Sequence, residues 1–159
     1  MFPIIQVFVM GFVLIYLFIQ SIWDIKLKQV PVLYNNIALL LFGVPSICYY
    51  LYSALFCHNY IPILYFVGVF SLLFVEYKLH IFGSGDFKAM MVIFFATLFS
   101  KTSFPNPNLE CFFVTIFFAD LFMLIIHFKK LFQKQKENRV AFFPYLFLGY
   151  LFSSMFYML

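Results

Sequence analysis

Apolar residues fill this chain in long blocks, and most polar residues fall between the blocks. Six blocks stand out: about Phe2 to Trp23, Leu33 to Cys57, Ile61 to Val75, Ile81 to Ser100, Leu109 to His127 and Ala141 to Leu159. A helix that crosses the hydrocarbon of a bilayer needs roughly 20 apolar residues. The third block is short as drawn and runs on toward Lys78; Pro62 opens it, and Pro45 predicts a kink in the second. The pattern predicts an all-α, polytopic membrane protein with six transmembrane helices. It predicts one membrane-embedded domain over residues 1–159, with no internal repeat or soluble linker.

Six spans place the intervening segments alternately on two sides. One side then carries Lys26, Lys28, Lys78, Lys88, Lys129, Lys130, Lys134, Lys136 and Arg139, and the other carries Lys101 alone. Basic residues concentrate on the cytoplasmic side. Both termini are therefore expected outside, in a cytoplasmic (inner) membrane. One helix more or fewer would scramble the partition.

Composition agrees. The chain is 65% hydrophobic and 10% charged, with mean hydropathy +1.02, and a soluble domain of 159 residues could not hide so much apolar surface. A net charge of +4 is compatible with nucleic acid, but its placement between apolar blocks argues for topology, so no nucleic-acid partner is expected. Cys48, Cys57 and Cys111 form no CxxC pair, and His58, His80 and His127 are dispersed, so no metal or cofactor is expected. The first block lacks a basic start, since the first Lys is Lys26, and is read as a retained helix and not a cleaved signal.

Acids are few, and two of them matter. Asp24 closes the first block, and Asp86 sits in Gly83-Ser84-Gly85-Asp86-Phe87-Lys88. An acid where the chain is committed to lipid carries a functional suspicion. Phe87 to Ser100 is 14 residues, too short for about 30 Å at about 1.5 Å per residue. Adding Ile81 to Asp86 gives 20, which puts Asp86 at or just below the cytoplasmic interface. The glycines are expected to allow unusual backbone angles and close approach. Lys88 is placed to favour the ionised form of a nearby acid.

Two carboxylates around one water can hydrolyse a peptide bond. One takes a proton from the water; the other, protonated, polarises the carbonyl and helps the amine leave. Like charges at close range share a proton, so titration belongs to the pair. The residues alone leave other readings open. Asp24 can be an interfacial residue near Lys26 and Lys28. Asp86 can pair with Lys88 or cap the helix that follows. A phosphate loop fails, because the run lacks a Gly-Lys-Ser/Thr ending and the third Gly of a dinucleotide fingerprint.

Asp24-Ile25-Lys26-Leu27-Lys28-Gln29-Val30-Pro31 resembles the first motif of type IV prepilin peptidases and archaeal preflagellin peptidases: an Asp after a helix, basic residues, then an aliphatic-Pro pair. Gly83 to Lys88 matches the second motif of those membrane aspartic peptidases, Gly-x-Gly-Asp-x-Lys, at each fixed position. Phe143-Pro144-Tyr145-Leu146, with Gly149 after it, resembles the opening of their last helix. The resemblance covers about Ile15 to Gly149. It implies that Asp24 and Asp86 are the catalytic pair, that Gly83, Gly85, Lys88, Pro31 and Pro144 support the motifs, and that no metal takes part. The implied substrate is a prepilin-like membrane protein whose basic leader is cut at the cytoplasmic face. Val32 stands where the family has Asn or Asp, Ala141 where it often has Pro, and Ala89-Met90-Met91 replaces a Leu-rich stretch. No paired-cysteine region of the kind found in methylating members is expected here, so cleavage without methylation is expected.

Other polar residues have weaker readings. Asp120 lies mid-way in the fifth block and is expected to face the bundle interior, against Asn35, Asn36 or a Ser, or to relay protons. Glu76 and His80 are expected to be solvated at the interface, with docking of a basic leader as the sharper role. The cluster from Lys129 to Arg139 is expected to set topology and meet anionic lipid. Two other classes stay open: an inactive relative serving in membrane assembly or transport, and a proton-coupled transporter resting on Asp120.

Overall fold

The computed structural model describes residues 2–27, 31–79, 83–97, 109–132 and 141–158. The described residues form six α-helices and no strand: α1 Phe2–Leu27, α2 Val32–Phe56, α3 Ile61–Lys78, α4 Ser84–Thr97, α5 Leu109–Phe132 and α6 Phe143–Met158. Each apolar block holds one helix. Ile81, Phe82 and residues 98–100, which the fourth block included, lie outside the described residues. Pro45 sits inside α2, which is helical on both sides of it. Pro62 occupies the first turn of α3, where its missing N–H leaves no bond unmade.

Three helices are long and apolar enough to cross a membrane: α1 over Val7–Leu27, α2 over Val32–Phe56 and α3 over Ile61–Lys78. Most of their exposed positions are apolar, among them Phe8, Ile15, Leu40, Val44, Leu55, Leu64 and Val75. Many buried positions are polar: Gln20, Ser21, Asp24, Asn35, Ser46, Ser53, Thr115, Ser153 and Ser154. That is the reverse of a water-soluble fold, where an exposed apolar face of such extent would need a cover.

The chain divides into two compact units. The first comprises Met1–Met10 and Val32–Leu109. In it α2 packs on α4, with α3 against both. The buried positions of α2 recur at helical spacing, Asn35, Ala38, Phe42, Ser46, Tyr50 and Ser53. Gly43 makes the close approach possible, because a Cβ there would lie 3.2 Å from the Phe95 ring of α4. Nearby, Ser46 Oγ donates to the Phe95 carbonyl at 3.4 Å. The Phe66 ring of α3 stacks on Phe95, centroids 5.8 Å apart. From Ala89 to Thr97 every residue of α4 is buried, so its apolar character on all sides is met by protein.

The second unit comprises Gly11–Pro31 and Glu110–Leu159. Here α5 and α6 meet through small residues. A Cβ on Gly149 would strike the Thr115 carbonyl oxygen and lie 2.9 Å from the Ala119 nitrogen. One turn on, Ser153 Oγ donates to the Cys111 carbonyl at 3.0 Å. Small residues with an interhelical hydroxyl bond are a common way of joining helices whose apolar surfaces gain nothing by leaving lipid. The C-terminal half of α1 joins through Phe18 and Phe147, whose rings lie 5.6 Å apart.

Candidate active site

Asp24 lies in the last turn of α1 and is 8% exposed. Its Oδ2 accepts the Phe143 N–H at 3.1 Å, 119 residues away in sequence. The Phe142 carbonyl accepts from Tyr145 N at 3.0 Å and Leu146 N at 3.1 Å, so Phe142 caps α6 and Phe143 is its first helical residue. A first-turn N–H has no partner within its own helix. Asp24 supplies one and also sits at the positive end of the α6 dipole. Pro144 follows at the second position, where proline costs the helix nothing. The Phe-Pro opening of α6 thus has a physical reason: Phe143 donates to Asp24, and Pro144 fixes the backbone that aims the donor.

Asp86 plays the related part at the start of α4, within its own helix. Phe87 N donates to the Gly83 carbonyl at 3.0 Å, which makes Gly83 the cap. Asp86 Oδ2 accepts the Gly83 N–H at 3.0 Å, the reach-back half of a capping box. This is the capping alternative stated for Asp86, and here it is realised. The unusual backbone angles expected of Gly83 and Gly85 are absent, since no described glycine has a positive φ. What Gly83 supplies is room: a Cβ would lie 3.1 Å from Asp86 Oδ2. Gly85 is half-buried in the first turn. Phe87 anchors that turn between Tyr77, at 5.6 Å, and Phe70, at 6.0 Å between centroids.

Lys88 is tied to an amide. Its Nζ donates to Asn36 Oδ1 on α2 at 2.8 Å. The tie spans 52 residues and joins the two helices that form the centre of the first unit. The sequence pattern offers Asn36 only as a partner for Asp120. The available signal was an amide pair opening an otherwise apolar helix on the side assigned to Lys88.

Asp120 also departs from expectation. It is exposed on α5 and does not turn inward. An acid at the centre of an apolar helix had been expected to turn inward. Here the inward face of α5 is taken by Cys111, Phe112, Thr115 and Ala119, all buried. Their spacing leaves position 120 on the other side.

Pro31 is half-buried and directly precedes α2, whose first residue is Val32. Glu76 is half-buried in the last turn of α3. His80 lies outside the described residues. The sequence reading passed over Gln20, which lies one turn before Asp24 on α1. It is 1% exposed, and its Oε1 has no hydrogen-bond partner among the described residues. No three His, Cys, Asp or Glu residues cluster among the described residues.

Asp86, Gly83, Gly85, Lys88 and Glu76 therefore belong to the first unit. Asp24, Pro31 and Pro144 belong to the second. Within each unit one aspartate is held by a backbone N–H at a helix start, which fixes the carboxylate by main chain and not by a mobile side chain. No family model, no curated protein and no solved structure matches this chain.

Proposed function

We propose that this chain is a membrane aspartic endopeptidase of the prepilin-peptidase kind. It would cut the basic leader of a prepilin-like membrane protein at the cytoplasmic face of the inner membrane. What supports the reading is that Asp24 and Asp86 each sit in a run that resembles a motif of that family and each is fixed by a helix-start N–H. Preorganised carboxylates suit acid/base work, because little has to move when the proton does. In the reaction one aspartate takes the proton of an attacking water. The other donates to the carbonyl oxygen and then helps the leaving nitrogen depart. Lys88, tied to Asn36, would act by holding α4 against α2, which keeps the helix start bearing Asp86 in place.

The arrangement in the membrane follows from the same premise. Six spans put nine of the ten basic residues on one side and both termini on the other. As a helix, α4 is 14 residues, about 21 Å at about 1.5 Å per residue. The apolar residues flanking it in sequence would supply the remaining length.

A second reading has support from the same bonds. Both aspartates already serve as acceptors for helix starts, which is work enough for a structural acid in a non-catalytic membrane component. The two readings part on one experiment. The chain is expressed in membranes with a prepilin substrate, and wild type is compared with Asp24→Asn and Asp86→Asn. The peptidase reading expects each to lower cleavage by roughly 10³-fold or more. Cleavage that survives either change removes the two-acid mechanism.

A further inference from the structure

We propose that the outward face of α5 is a self-association surface, on which Asp120 of one chain meets Asp120 of a second copy. The proposal needs α5 to cross the membrane, as in the six-span arrangement, but not the peptidase reading. Asp120 is the twelfth of the 24 residues of α5, about 17 Å from either end at about 1.5 Å per residue. It is exposed. An acid at that depth facing lipid is costly, and such residues as a rule face protein or a wet cavity. Within its own unit the opposite face of α5 is the one that packs, through Thr115 and Ala119 against Gly149.

The residues around it are those of a helix seam. Phe113 is 47% exposed, Phe117 63% and Leu124 50%. With Asp120 they fall at intervals of four, three and four, the spacing at which two helices interlock side by side. A single polar residue in such a seam sets its register. Two copies inserted with the same topology relate by a two-fold axis along the membrane normal, which preserves depth. Asp120 then faces its own equivalent, and Phe113, Phe117 and Leu124 face theirs. A carboxylic acid carries one donor and one acceptor, so two of them satisfy each other. A second copy with the same topology offers its own Asp120 at that depth.

Cysteine cross-linking in native membranes tests the proposal. In a background carrying Cys48→Ser, Cys57→Ser and Cys111→Ser, single cysteines are placed at positions 113, 117, 118, 122 and 124. Oxidation is expected to give a disulfide dimer from 113, 117 and 124. It should give at least several-fold less from 118 and 122, where the rings pack on Phe152. Asp120→Leu in the 117 variant should cut the dimer several-fold, while Asp120→Asn, which keeps a donor and an acceptor, should largely retain it. Equal cross-linking at all five positions, none at any, or adducts only with another protein would overturn the proposal. So would a dimer unaffected by Asp120→Leu, since lipid exposure alone predicts that leucine is the better residue there. Cleavage is not measured, so failure here leaves the peptidase reading where it stood.

Discussion

Asparagine is the informative substitution at Asp24 and Asp86, because it keeps an acceptor oxygen and loses only the acid. Each wild-type carboxylate accepts a backbone N–H, from Phe143 and from Gly83. Asp86→Asn should therefore leave the start of α4 capped, and thermal stability in detergent should stay close to wild type. Asp86→Ala removes the acceptor and should cost about 1 kcal/mol, the usual worth of a helix cap. In the peptidase reading both changes abolish cleavage and only alanine lowers stability, and paired melting and cleavage assays separate the two effects. Gly83→Ala gives the converse result. Its Cβ would crowd Asp86 Oδ2 at 3.1 Å, so the acid is present but displaced. Cleavage should fall at unchanged protein level; full activity would mean that the position of this carboxylate is not critical.

Lys88 and Asn36 call for a different design. Because the two share one bond, the effects of Lys88→Met and Asn36→Leu should not add. The double variant is expected to be about as stable as the worse single one. Strict additivity in a double-mutant cycle of melting temperatures would show that the bond carries no coupling energy.

Where two helices meet, the decisive residue is Gly149. A side chain there must displace the backbone of α5 at Thr115 and Ala119, and backbone cannot rotate away as a side chain can. Gly149→Ala should destabilise the protein by about 1–3 kcal/mol, the range found for overpacked sites, and Gly149→Leu by more. Thermal melting in detergent measures it, and a Gly149→Ala protein as stable as wild type would show that α5 and α6 do not close to this distance. This contact also marks what could be read in advance. The six helices were legible, because apolar blocks between polar breaks are a local property of the chain. The pairing of Gly149 with Thr115, of Asp24 with Phe143 and of Lys88 with Asn36 was not, because each joins residues from separate helices and no local pattern encodes which helix lies beside which. For α4, an apolar run reads alike whether lipid or protein covers it, and here protein covers Ala89 to Thr97 on all sides. Asp120 was misread for a related reason. The rule that membrane acids turn inward gives no direction until the packed face of the helix is known, and that face was set by Cys111, Thr115 and Ala119.

Across the described residues of both units many exposed positions are apolar and several buried ones polar, and that inversion has one direct consequence for how the chain sits in a bilayer. If lipid is the solvent for the exposed faces of α1, α2 and α3, each must cross fully, since backbone ends left in hydrocarbon would lack partners. The order of crossings is then fixed by which side holds the basic residues. In the proposed six-span arrangement Lys134 and Lys26 share the cytoplasmic side, and Lys101 and both termini lie on the other. Single cysteines at positions 26, 134 and 101, in a background without the three native thiols, report this directly. A membrane-impermeant maleimide added to intact cells should label position 101 and leave 26 and 134 unlabelled until the membrane is opened. Moving charge should move topology: replacing Lys129, Lys130, Lys134, Lys136 and Arg139 together by Gln takes five of the nine basic residues from that side and should yield a mixed or inverted labelling pattern. With the N-terminus outside, labelling of 134 in intact cells would mean an even number of crossings before it and not the five of the six-span arrangement. The basic cluster would then lie on the face opposite to the one that the six-span arrangement gives it.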